Sequence, residues 1–296
     1  MTISEYRLSR LPPRFLRGLE GLLDDDERLL YSIERPMLMD VSLVRRLRSR
    51  VDRRAALLAL TDRQLLWIVD HAQPDQYLSD WGVDVELVPV ERLRAVGCVR
   101  RDDAIELVIA TPAGGRTFKL PAELEQEAQV MRDLLARFSP SASQGLPLRR
   151  YPLEAIAFDA DVATRFDQEQ VARREYEGAG ANGEVLAFLF SPSRPGQRWP
   201  ASLIPRPTHV ELAAHGQRRA IALADVVSIK LTLSVLVGRL SVGPDIGVTY
   251  PAPLADRGTA FVRMARRALA NLTCGPEAAA VGDPAGSALS CRGTTP

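Results

Sequence analysis

The sequence predicts a mainly β protein with helices, an α+β fold, built as two similar halves. Three observations support this prediction. Short apolar runs alternate or cluster between turn-forming residues, which is typical of β-strands. Each half ends in an apolar stripe at helical spacing. Several blocks of the first half recur in the same order in the second half.

Turns mark the strands of the first half. "ALLALTDRQLLWI" (56–68) reads as two strand-like runs joined by a polar turn. Further along, "AIELVIAT" (104–111) and "GRTFKL" (115–120) flank "PAGG", which is a good hairpin turn. Between these pairs, "VELVPVERLRAV" (85–96) alternates until a proline interrupts it, which indicates an edge or a bulge.

A helix is predicted at the end of each half, just after a proline. The apolar residues that give the first helix one buried face are Leu124, Ala128, Met131, Leu135 and Phe138. Their counterparts in the second helix, at the same spacings of four and three, are Leu254, Gly258, Phe261, Ala265 and Ala268. We expect the first stripe to pack against Leu66 or Ile68.

The repeat rests on the order of the matching blocks, because each block alone is only weakly similar. The four pairs are 27–36 with 184–195, 56–68 with 202–214, 87–96 with 221–229 and 120–124 with 250–254. The separation falls from 157 residues (27 and 184) to 130 residues (120 and 250). Shorter connections in the second half account for each drop, since insertions and deletions are tolerated in loops.

The predicted organisation is therefore two domains with a linker and a tail. The first domain spans 1–138 and begins with a helix at 12–23. A linker rich in Ser, Pro and Gly follows at 139–150. The second domain spans 151–272, begins with a helix at 159–178 and is the more divergent. The tail, 273–296, consists mostly of small residues with Gly and Pro and is predicted to be disordered.

Six or seven short strands followed by one amphipathic helix form a bent sheet or small barrel whose open end the helix can plug. This arrangement resembles the short pleckstrin-homology-like (PH-like) domains of bacterial proteins. The segments that carry the resemblance are "LLALTDRQLLWI", "VELVPVERLRAV" and "ELEQEAQVMRDLLARF". It implies two tandem PH-like small barrels, each capped by a C-terminal amphipathic helix.

Composition excludes several classes of protein. The net charge of +1 gives no general argument for nucleic acid as a partner. The three cysteines are too far apart for a disulfide framework or a metal site. No apolar run has the ~18 residues that a membrane-spanning helix needs. We therefore expect a cytoplasmic protein without a cofactor or a metal, with contact at a membrane surface left open.

An arginine cluster is the sharpest local feature of the sequence. "VRRLRSRVDRR" (44–54) holds six arginines: Arg45, Arg46, Arg48, Arg50, Arg53 and Arg54. Guanidinium groups bind phosphate in bidentate fashion and stay charged, so these residues are candidates for anion binding. In the PH-like folds that this chain resembles, the connection between the first two strands often binds phosphoinositide headgroups. The alternative is a solvated loop in an arginine-rich chain, which we favour.

The loop "DQYLSDWGVD" (75–84) has no counterpart in the second half. Its two aromatic residues, Tyr77 and Trp81, are candidates for contact with a partner, because aromatic side chains often anchor interfaces. The alternative is that both rings fold back onto the nearby apolar surface. We favour this alternative.

Signals for catalysis are weak. The histidines His71, His209 and His215 have no nearby residues that would complete a metal site. The acidic run at 24–27, "DDDE", lacks the alternating ligands and central glycine of a calcium loop, so we expect a solvated turn. Motifs for a nucleophile elbow, a dinucleotide fold or a P-loop are absent from the sequence.

The sequence therefore favours a non-catalytic binding or scaffolding module whose partner is a protein. One alternative is peripheral binding of anionic lipid or polyphosphate through the arginines of residues 45–54. The other is an enzyme with an unrecognised site between the two domains. The sequence identifies no specific ligand for any of the three.

Overall fold

The structure, a computed structural model, describes most of both halves. Besides single positions between 11 and 24, it describes residues 26–36, 54–70, 82–138, 150–156, 169–181, 184–191, 201–214, 217–234, 237–243, 246–251 and 255–272. The predicted tail and most of the predicted linker lie outside these residues. The described part is mainly β with helices, which confirms the predicted α+β class.

The first half contains two groups of strands followed by a helix. The first group is β1 (Leu29–Arg35), β2 (Ala56–Thr61), β3 (Gln64–Asp70) and β4 (Gly82–Pro89). A 3-10 turn at Val90–Arg92 leads to the second group, β5 (Ala95–Arg101), β6 (Ala104–Thr111) and β7 (Gly114–Pro121). After a second 3-10 turn, the half ends in α1 (Glu125–Ala136).

The second half has the same order of elements after an additional helix, α2 (Glu169–Gly180). Its first group of strands is β8 (Leu189–Ser191), β9 (Ala201–Pro205), β10 (His209–Ala214) and β11 (Gln217–Ala222). A 3-10 turn at Leu223–Asp225 leads to β12 (Ile229–Ser234), β13 (Val237–Val242) and β14 (Ile246–Pro251). The half ends in α3 (Ala255–Asn271).

The corresponding elements fix how residues of the two halves match. The 3-10 turns begin at Val90 and Leu223, and the strands that follow the next loop, β6 and β13, begin at Ala104 and Val237, so both pairs are 133 residues apart. This spacing matches Glu91 with Ala224. The sequence blocks, aligned at 134 residues, were therefore out of register by one residue in this region.

The strands form three antiparallel sheets of seven, four and three strands. The largest has the order β1-β2-β3-β4-β12-β13-β14, so strands of both halves share it. The other two sheets are β11-β10-β9-β8 and β5-β6-β7. The predicted closed barrels are therefore not found among the described strands. The reason is that β4, at the end of the first group, pairs with β12 of the other half.

The central strands of the large sheet are covered on both faces. All six residues of β2 are buried, as are five of the seven residues of β3. One face contacts α1 and the β5-β6-β7 sheet, in a core that includes Leu58, Leu60 and Leu65. The other face, with Leu66 and Ile68, belongs to a core shared with α3 of the second half. The second half is thus one of the two covers of this sheet.

The stripe of α1 is buried as predicted, but its packing partner was predicted wrongly. Met131, Leu135 and Phe138 lie in the core with Leu65, while Leu66 and Ile68 lie in the other core. Successive side chains of a strand point to opposite faces, so the prediction chose the wrong parity of β3.

The stripe of α3 is also buried at Phe261, Ala265 and Ala268. Gly258 has a specific reason to be in this stripe: a Cβ atom there would lie 2.0 Å from the hydroxyl oxygen of Tyr250. The glycine therefore lets the tyrosine ring of β14 lie directly against the helix.

The two predicted N-terminal helices have different outcomes. Of the helix predicted at 159–178, the part within the described residues is confirmed, and α2 extends it to Gly180. For the helix predicted at 12–23, single positions are described, and Phe15, Leu19 and Leu22 among them are buried in the core shared by the two halves. No helix of the described residues is both long and apolar enough to cross a membrane.

Replacing Leu135 by Ala should lower the free energy of unfolding by about 2–5 kcal/mol, because the side chain is fully buried and its removal leaves a cavity. Val99→Ala is the matched control, since Val99 is 45% exposed, and should change stability by less than about 0.5 kcal/mol. Urea unfolding measures both. Equal losses in the two variants would contradict the assignment of the α1 stripe to the core.

Candidate functional site

Most of the predicted site residues lie outside the described residues: Arg45, Arg46, Arg48, Arg50, Arg53, Tyr77 and Trp81. Arg54 is described. Its carbonyl oxygen accepts hydrogen bonds of 3.1 and 2.9 Å from the Arg35 guanidinium, and its own guanidinium lies 3.8 Å from Asp84. The described end of the arginine cluster is therefore tied to strands β1 and β4.

A buried ionic cluster connects the two halves. Arg266 of α3 donates to Asp24 (2.5 Å) and to Glu27 (3.0 Å), and the three side chains are 5% exposed or less. Arg267 donates to the other oxygen of Asp24 at 2.7 Å. Arg63, in the turn between β2 and β3, also donates to Asp24. The acidic run before β1 is thus bound by arginines from both halves.

The same cluster organises the β2–β3 turn. Thr61 Oγ1 donates to Glu27 Oε1 at 2.6 Å, and the Gln64 side-chain amide donates to the same oxygen at 2.8 Å. Thr61 Oγ1 accepts the backbone N–H groups of Arg63 and Gln64 at 3.1 and 2.9 Å. Because each group has a partner, the polar turn can be buried.

Charge neutralisation explains why the acidic run is not a solvated turn, as the sequence analysis expected. Burial alone would raise the pKa of Asp24, but Arg266, Arg267 and Arg63 lower it to about 2. Arg63 also donates to the exposed Asp26. Three guanidinium groups therefore face three carboxylates: Asp24, Asp26 and Glu27.

Glu91, in the first 3-10 turn, extends this cluster as its fourth carboxyl group. Its Oε1 accepts a 2.8 Å hydrogen bond from the Tyr151 hydroxyl, and its buried Oε2 has no hydrogen-bond partner among the described residues. Burial raises the pKa of Glu91 to about 7, against the lowering effects of Tyr151 and Arg266. The three arginines are already matched by three carboxylates, so no cation belongs to Glu91 alone.

Tyr151 attaches the segment before the second half to α3. Its backbone N–H donates to Asn271 Oδ1, and the Asn271 amide donates back to its carbonyl, both at 2.8 Å. Its ring lies 5.6 Å from the guanidinium of Arg63 and 5.7 Å from that of Arg266, within cation–π range. The central groups of this cluster are inaccessible to a substrate, so its role is to hold the halves together.

The strand pair β4 and β12 is the second connection between the halves. Ile229 pairs with Leu87, Lys230 with Glu86 and Thr232 with Asp84. Thr232 Oγ1 donates to Asp84 at 2.7 Å, and Ser228 Oγ donates to Glu86 at 2.6 Å. This junction shows how the fold accepts an antiparallel strand at the edge of either group.

Two strands differ from the other described strands in having no buried residue. They are β5, the counterpart of β12, and β11, the counterpart of β4. Each is the last strand of its sheet among the described elements. The two strand types that form the junction are therefore each left uncovered once.

On the α2 face of β10, beside β11, one carboxylate is surrounded by basic groups. Glu211 accepts from Arg206 (3.1 Å) and lies 3.1 Å from His209 Nε2. Burial acts to raise the pKa of Glu211, but these hydrogen bonds lower it. Arg218 of β11 lies 3.7 Å from the same carboxylate, beyond hydrogen-bond distance.

Among the residues that the structure describes, no group of three or more His, Cys, Asp or Glu side chains could hold a metal ion. His209 is described, while His71 and His215 are not. The sequence analysis missed Arg266 and Arg267. The available signals were the acidic run without a partner and two arginines inside a helix with a buried stripe.

Comparison with known proteins gives no family. No protein-family model matches the chain, and no curated protein matches it.

Replacing Arg266 by Met should lower the free energy of unfolding by about 3–5 kcal/mol, because Glu27 and Asp24 would remain buried with too few cations. Arg263→Met, in the same helix but partly exposed, is the matched control and should cost less than about 1 kcal/mol. Urea unfolding at pH 7 measures both. A loss in Arg266→Met no larger than that in the control would contradict the role of the cluster.

Stability should also depend on pH through Glu91. The folded state binds this proton more tightly than the unfolded state, because the pKa is about 7 when folded and 4.5 by default. The contribution is present below pH 4.5 and is lost as the pH rises to 7, a loss of about 3 kcal/mol.

Glu91→Gln imitates the protonated carboxyl group, so it should gain stability relative to wild type between pH 5 and pH 8. Glu123→Gln, at an exposed position, is the control and should show a constant difference. Urea unfolding at a series of pH values measures the curves. Parallel curves for wild type and Glu91→Gln would contradict the prediction.

Proposed function

We propose that this chain is a non-catalytic binding module that recruits a protein segment by strand addition at an uncovered sheet edge. The observation that carries the proposal is the contrast between the β4–β12 junction and the uncovered strands β5 and β11. The fold already accepts an antiparallel strand at one such edge. The same two strand types remain available elsewhere in the chain.

The order of elements supports a second part of the proposal, that each half is a PH-like domain. Four strands, a 3-10 turn, three strands and a helix occur in that order in both halves. The buried cluster and the shared sheet join the halves into one body. A module of this kind would present its edges in a fixed relative position.

Strand addition also accounts for recognition without a deep site. Backbone hydrogen bonds supply affinity when an extended peptide joins an edge, and alternate side chains supply specificity. Uncovered edges are otherwise a hazard, since they promote aggregation.

Hydrogen exchange tests this proposal directly. Unstructured ten-residue peptides would be selected from a displayed library on the full chain, then added to the chain while amide exchange is followed. We expect slower exchange in β5 or β11 on binding. Selected peptides that bind without changing exchange in either strand would contradict strand addition.

A further inference from the structure

We infer that the binding edge is β11 and that its occupant is an extended acidic segment of another protein, added antiparallel to the strand. This inference rests on the proposed function and specifies its site and its partner. The argument starts from the charges of the β4–β12 junction, continues with the surroundings of β11 and then compares the possible occupants.

The charge of β11 is reversed relative to its counterpart β4. Glu86 lies four residues before the 3-10 turn that follows β4, and Arg219 lies four residues before the turn that follows β11. At the junction, Glu86 pairs with Lys230. An added strand in the same register would therefore place an acidic residue, in place of the lysine, opposite Arg219.

The two faces of β11 both carry positive charge. Arg219 pairs with Leu212 and lies on the face of Val210, while Arg218 pairs with Ala213 and lies on the face of Glu211. Glu211 is already bound by Arg206 and His209, so it leaves the charge of Arg218 only weakly compensated at 3.7 Å. Neighbouring acidic residues in the added strand would meet one arginine on each face.

A second copy of this chain fits β11 less well. Its counterpart of β12 is β5, which in the junction register would present Gly97 opposite Arg219 and Cys98 opposite Arg218. The same strand ends in Arg100 and Arg101, whose side chains carry the same charge as those of β11. Like charges across neighbouring strands are destabilising. The charges therefore favour an acidic partner over self-association.

The backbone of β11 determines which amides the added strand would bind. The N–H of Leu223 donates to the carbonyl of Thr208 in the β10–β11 register. Alternation in an antiparallel pair then directs the backbone groups of Arg219 and Ile221 towards β10. Those of Arg218, Ala220 and Ala222 face the uncovered edge.

The test uses the isotope-labelled full chain and a capped ten-residue peptide of Val and Thr with adjacent Asp and Glu at its centre. Its counterpart with Asn and Gln is the neutral probe. We expect about tenfold tighter binding of the acidic peptide, from two cross-strand ion pairs. We also expect slower exchange of the Arg218, Ala220 and Ala222 amides, while those of Arg219 and Ile221 are protected beforehand.

Two double variants complete the design. Arg218→Glu with Arg219→Glu should remove the preference for the acidic peptide, and a peptide with Lys and Arg at its centre should now bind better. The matched control, Arg100→Glu with Arg101→Glu, changes two adjacent arginines of the other uncovered strand and should behave as wild type. Binding that follows the β5 variant would overturn the assignment to β11.

The outcomes separate this inference from the proposed function. Equal binding of acidic and neutral peptides at β11 would overturn the acidic partner but leave strand addition intact. No protection at β5 or β11 with any peptide would overturn both. Protection of β11 that increases with protein concentration in the absence of peptide would identify a second copy as the occupant and overturn the inference.

Discussion

The structure depends on covering the second face of the β1–β4 sheet. Apolar residues on both sides of β2 and β3 require two covers, and the first half supplies only one. The second is α3, which Arg266 and Arg267 hold against the carboxylates of Asp24 and Glu27. The arginines select one position for the helix, because any displacement would leave buried charges unpaired. The two halves are therefore parts of one fold.

The uncovered strands follow from this arrangement. When two like halves are joined head to tail, one strand of the β4 type and one of the β5 type form the junction, and one of each type is left over. A heterologous contact of this kind does not close on itself, so it could in principle continue into further copies. Arginines on both remaining edges oppose such continuation, since they would bring like charges together.

Local elements could be predicted from the sequence, while their partners could not. The β6–β7 hairpin and the stripes of α1 and α3 follow from turn residues and periodicity, which are properties of short segments. The parity of β3 could not be chosen, because both Leu65 and Leu66 are apolar and both are buried. The pairing of β4 with β12 joins strands about 145 residues apart, and no local pattern encodes it.

Arginine content alone was a poor guide to function in a chain where 36 of 38 basic residues are arginine. What distinguishes one arginine from another is the number of carboxylates around it. In the buried cluster, three guanidinium groups meet three carboxylates, and Glu91 accordingly retains its proton up to about pH 7. Beside β11, Arg206 and Arg218 share the single carboxylate of Glu211, and Arg219 projects on the other face. An external anion is accommodated where arginines outnumber carboxylates, which favours the edge over the interior.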